Sequence, residues 1–77
     1  MTPQRLVHMA NQIAVFFRST PHEEAVAATA DHLRKFWEPR MRRQISLHLQ
    51  EGGDGLSDIA RAAVAQLPEA KATAAIS

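Results

Sequence analysis

A chain of 77 residues with a formal net charge of +1 is a single small domain, and the absence of cysteine excludes disulfides, thiolate metal sites and iron–sulfur ligation by its own side chains. The apolar fraction is 45%, but much of it is alanine, so a thin core is expected, one that a partner surface can complete. A domain this small buries only roughly 60% of its unfolded surface. No run approaches the ~18 apolar residues of a membrane span, and no basic segment leads into an apolar one as in a signal peptide. With cysteine absent, a cytoplasmic protein without membrane contact is expected.

In chain order, Thr2 and Pro3 predict a cap followed by proline at the first helical position. Leu6, Met9, Ala10, Ile13, Phe16 and Phe17 then recur at helical spacing, predicting a helix over 3–18. The two adjacent rings are too wide for one seam, so one faces the core and the other a neighbour or partner; Phe17 is the contact candidate. Thr20, Pro21 and Glu23 fit a capping box, opening a second helix over 21–37. Its small residues at 25, 27, 28 and 30 permit close approach of helix 1. Pro39 starts a third helix, over 39–51, with Met41, Ile45 and Leu49 at successive i,i+4 positions. Gly52 and Gly53 stop it, and Gly52 to Gly55 read as a flexible turn. A fourth helix over 56–67 is capped by Asp54 or Ser57 and ended by Pro68.

The expected fold is all-α: a small antiparallel bundle of about four helices, with residues 1–67 as the domain and 68–77 as a flexible tail. No alternating strand pattern and no internal repeat is present. The predicted core comprises Leu6, Met9, Ile13, Phe16, Val26, Leu33, Phe36, Met41, Ile45, Leu49, Ile59 and Leu67.

Residues 31–43, DHLRKFWEPRMRR, organise the rest. They hold five of the nine basic residues and the only tryptophan. Arg34, Lys35, Arg40, Arg42 and Arg43 against Asp31 and Glu38 give 5 − 2 = +3, so the other sixty-four residues net 1 − 3 = −2. Arg40, Arg42 and Arg43 fall in the first turn of helix 3, at the positive end of its macrodipole. Either they form a solvated face with Glu38 as counter-ion, or an anion from a ligand or partner offsets them. Arg40 and Arg43, three apart, share a face and could grip one anion; Arg42 points elsewhere. Trp37 either fills the junction of helices 2 and 3, or anchors a partner, or stacks on a base or pterin ring while the arginines clamp phosphates.

Metal and nucleophile signatures are missing. His8, His22, His32 and His48 sit on separate predicted helices, and there is no HExxH, no nucleophile elbow and no P-loop. The modest pI of 8.4 disfavours a nucleic-acid module.

The segments MANQIAVFF and HEEAVAATADHLRKFWEPRMRRQI resemble the delta subunit of NAD-dependent, molybdenum-containing formate dehydrogenases, with further similarity through DGLSDIARAAV. The carrying motifs are Met9 to Ala14 (including Asn11), the pair Asp31 and His32, and Lys35 to Arg42, where an aromatic pair, a proline and spaced arginines coincide. The resemblance implies a non-catalytic subunit supporting assembly, stability or cofactor-loaded maturation, while formate oxidation belongs to a large molybdopterin-bearing subunit. That subunit is the expected partner, docked through Phe17, Trp37 and the arginines 40, 42 and 43. A homodimer of the isolated chain is a further expectation. The alternative is a module for a phosphate-bearing ligand, a nucleotide or molybdopterin guanine dinucleotide, at Trp37, Arg40 and Arg43 with Asp31 on the guanine edge. No covalent or metal-ligated cofactor is expected.

Overall fold

Thr2 opens the first helix as the sequence predicts: its Oγ1 accepts the Arg5 N–H at 3.2 Å, and Pro3 takes the first helical position. The computed structural model describes residues 2–71, and those residues contain no strand. Four helices follow in order, α1 (Pro3–Phe17), α2 (His22–Phe36), α3 (Pro39–Gln50) and α4 (Asp58–Ala65). Their ends differ from the predicted ones by one residue in α1 to α3 and by two in α4.

The start of α2 departs from the capping-box prediction. The Thr20 hydroxyl donates to the Phe17 carbonyl at 2.7 Å, so it closes α1, and no side chain caps α2. Pro21 is the N-cap, without a side-chain bond, and Glu23 and Glu24 supply the favourable charge of the first turn instead.

α1 and α4 each pack on every other helix, whereas α2 and α3 barely touch one another. The reason is their connector. Trp37 and Glu38 are extended (φ −92°, ψ 137° and φ −65°, ψ 153°), which the following proline favours at Glu38. A two-residue extended link splays the helices instead of folding them into a hairpin. The most extensive packing is between α2 and α4, where Val26, Ala30 and Ala63 interlock against Ile59 and Ala62. Of the small residues of α2, Ala30 packs in this cluster with α4, and α1 also lies closely against α2.

The main core holds Leu6, Leu33, Ile45, Val64 and Leu67, all essentially inaccessible, around the alanines 10, 14 and 60 and Trp37. Val26 belongs to the α2–α4 cluster, and two predicted core residues belong to neither cluster: Phe16 is 80% exposed and Phe36 71%. In α1 the inward face is centred on Leu6, Ala10 and Ala14. Alanines let neighbouring helices approach closely, so the larger Met9 and Ile13 pack at the edge of the core and Phe16 lies outside it. At the end of α2, the extended Trp37 turns its own side chain inward and leaves Phe36 outside.

The chain keeps helical order beyond Leu67. Residues 68–71 form one more turn, with Ala70 buried and Glu69 tied to α3. The predicted tail began at Pro68, but proline suits the first position of a new turn. Residues 72–77, the rest of the predicted tail, lie outside the described residues.

Candidate functional site

Splaying α2 from α3 leaves an open groove over Trp37. It encloses about 640 Å³ and is lined by Met9, Gln12, Ile13, Phe16 and Phe17 of α1, His32 and Phe36 of α2, Trp37, and Met41 of α3. Trp37 is only 5% exposed, so it belongs to the groove floor and offers no open ring face for stacking a base. The exposed rings are Phe16 and Phe36. Phe16 stands edge-on to Phe17 with centroids 5.3 Å apart, and the His32 ring lies 4.7 Å from Phe36. Phe17, the predicted contact residue, is half-buried, while its neighbour Phe16 is the exposed member of the pair.

The basic residues of the 31–43 stretch divide into three groups. Asp31 holds two of them: Arg34 bonds its Oδ1 at 2.6 Å and Lys35 its Oδ2 at 2.9 Å. The Lys35 hydrogen bond is the main cause that keeps the Asp31 carboxyl below its ordinary value, against a smaller opposing effect of desolvation. Both oxygens of Asp31 are therefore engaged by cations of its own helix.

Arg42 is turned into the protein. Its Nε donates to Glu69 Oε2 at 3.0 Å, and its Nη1 donates to the carbonyls of Arg34 at 2.7 Å and Trp37 at 3.0 Å. Those carbonyls belong to the end of α2, where helical partners run out. Arg42 thus bolts α3 to the end of α2 and to the 68–71 turn, and its side chain is mostly shielded. Arg40 and Arg43 form the third group. Both are exposed, and neither has an ion-pair partner among the described residues. The first turn of α3 contains no acidic residue, and Glu38 makes no capping bond with its side chain.

Asn11 stands apart from the others. Its Nδ2 donates to the Gly55 carbonyl and its Oδ1 accepts the Ser57 N–H, both at 2.9 Å, so it ties α1 to the α3–α4 loop. Two further side chains hold that loop, and sequence reading missed both roles. Arg61 donates to the Gly52 and Gly53 carbonyls at 3.0 Å each, and His48 Nε2 meets the Asp54 carbonyl at 2.8 Å. The loop predicted as a flexible turn is therefore pinned at four backbone carbonyls and one N–H.

The structure brings Trp37, His32 and Phe17 together in the groove, leaves Arg40 and Arg43 exposed on α3, and places Asn11 and Arg42 in internal bonding. Among the described residues, no group of three or more histidines and carboxylates is placed to hold a metal ion, and no helix is long and apolar enough to cross a membrane.

The chain has no significant match among curated proteins or solved structures. The family model described as NADH-dependent formate dehydrogenase delta subunit FdsD matches residues 5–64, which span all four helices to within a residue or two at each end and every lining residue of the groove. The chain belongs to this family of formate dehydrogenase delta subunits.

Proposed function

We propose that this chain is a non-catalytic accessory subunit that works in the cytoplasm, docks on the large molybdopterin-bearing subunit of the formate dehydrogenase, and supports its assembly, stability or cofactor-loaded maturation. The observation that carries the reading is the groove. A chain of 77 residues leaves Phe16 and Phe36 largely exposed beside Met9, Ile13 and Met41. A contiguous apolar surface of that kind on a small domain marks an interaction site. Family membership supplies the context, because a delta subunit belongs with other subunits.

The test compares the complex assembled with and without this chain. Yield and molybdenum loading should fall without it, while formate turnover per loaded molybdenum stays unchanged. Loss of turnover in fully loaded enzyme would give the chain a part in the reaction and overturn the reading. Phe16→Ser combined with Phe36→Ser should reproduce the loss of yield; unchanged copurification of that variant would move the docking surface elsewhere.

A second reading keeps the exposed arginines. Arg40 and Arg43 stand unpaired beside the first-turn N–H groups of α3, where anions are favoured. A phosphate-bearing ligand, a nucleotide or molybdopterin guanine dinucleotide, would suit them. Thermal shift of the isolated chain with millimolar guanine nucleotide tests this, and a flat melting temperature rules that ligand out for the lone subunit.

A further inference from the structure

The groove has the form of a place left for one more helix. Met9, Ile13 and Phe16 recur on α1 at i, i+4 and i+7, beside the stripe of Leu6, Ala10 and Ala14 that faces the core. His32 and Phe36 recur on α2 at i and i+4, and Met41 closes the third side. Two apolar helical ridges thus flank a channel that no helix of the described residues fills. A channel between helices accepts another helix by ridges-into-grooves packing. A peptide adding as a strand would need a sheet edge to pair with, and the described residues contain no strand. The high exposure of Phe16 and Phe36 argues for a macromolecule, since a small-molecule pocket encloses most of its ligand.

Charge narrows the occupant. None of the nine lining residues is a carboxylate. Arg5 lies one turn before Met9 on the same face of α1, and Arg40 immediately precedes Met41 at the start of α3. Both are exposed and lack ion-pair partners among the described residues, unlike Lys35, which Asp31 holds. A second copy of this chain would bring the same two uncompensated cations to the interface, and like charges facing each other oppose association. A segment carrying carboxylates would find both arginines available.

We propose that the groove takes an amphipathic helix of a partner subunit. Its apolar residues, spaced i, i+3 or i+4 and i+7, lie on Met9, Ile13, Phe16 and Phe36, and its flanking carboxylates reach Arg5 and Arg40. This inference rests on the docking reading above and adds the chemistry of what is docked.

The experiment uses the assembled complex. Phe16 and Phe36 are replaced, one at a time, by a photo-crosslinking phenylalanine analogue, and the captured peptides are identified by mass spectrometry. The expected product is a helical segment of another subunit with at least two Asp or Glu residues within a turn of the crosslink. Arg5→Glu with Arg40→Glu should weaken association about tenfold or more at low salt, and lysine in place of the captured carboxylates should restore it. Capture of a second copy, of a helix without carboxylates, or of nothing at either position overturns the inference. So does unaltered association of the double charge reversal. Capture of a carboxylate-free segment of the large subunit overturns this inference alone and leaves the docking reading intact. Capture of an acidic helix on a different subunit upholds the inference and overturns the choice of partner.

Discussion

Arg42 shows how one side chain in a run of arginines can be structural while its neighbours remain free. Its guanidinium spends three donations on Glu69, Arg34 and Trp37, all internal. Arg42→Ala would remove the guanidinium that two helix-end carbonyls and the Glu69 carboxylate bond, so the expected loss is about 2–4 kcal/mol by denaturant unfolding. Arg40→Ala and Arg43→Ala, at exposed unpaired positions, should stay within about 0.5 kcal/mol in the same assay. Asp31 makes a different contribution. Its folded carboxyl titrates below the ordinary value of 3.8, so the stabilisation it gives is present above that value and is lost as pH falls through the folded one. Asp31→Asn should therefore be less stable than the parent near neutral pH and converge with it under acid. Because the pair is exposed, added salt should shrink the gap.

At the scale of elements, the α3–α4 connection carries more order than its glycines suggest. Gly52 sits at φ +119°, and the Gly53 N–H reaches the His48 carbonyl at 2.9 Å while the Gly52 N–H reaches Leu49 at 3.1 Å. This is the Schellman pattern of a helix C-terminus, and it needs a residue that tolerates positive φ. Gly53 adds a steric condition, since a Cβ there would stand 2.8 Å from Arg61 Nη1 and 3.1 Å from Leu49 Cδ1. Asn11 then fastens the far side of the loop through Gly55 and Ser57. Asn11→Ala removes two bonds to loop backbone. The expected cost is about 1–2 kcal/mol, with faster amide exchange at Ser57 and at the α4 N-terminus. Unchanged exchange there would show that His48 and Arg61 hold the loop without it.

Across the whole molecule, the groove is where the fold leaves its work unfinished. Phe16→Ser with Phe36→Ser removes exposed apolar surface and no buried contact of the core, so the isolated chain should keep its unfolding midpoint within about 0.5 kcal/mol equivalent. Its tendency to self-associate at high concentration should fall, as light scattering or sedimentation would record. A large drop in stability would mean that these rings pack more firmly on the free chain than their 80% and 71% exposure implies.

Helical periodicity, prolines at helix starts and the glycine stop were sufficient to place four helices from the sequence, because each is a local signal that acts within a few residues. The motif around Trp37 likewise pointed to the family, and the family match agrees. Tertiary structure decided what faces what. A period of 3.6 says which residues share a face, but it does not say which of two adjoining faces turns inward. Here close packing of alanines drew Ala10 and Ala14 to the core and left Phe16 outside. The inward turn of Trp37 followed from an extended two-residue link whose direction no propensity specifies. The separate fates of Arg40, Arg42 and Arg43 were equally beyond a local reading. They depend on Glu69, twenty-seven residues away from Arg42 in the chain, and on the carbonyls that the end of α2 presents to it.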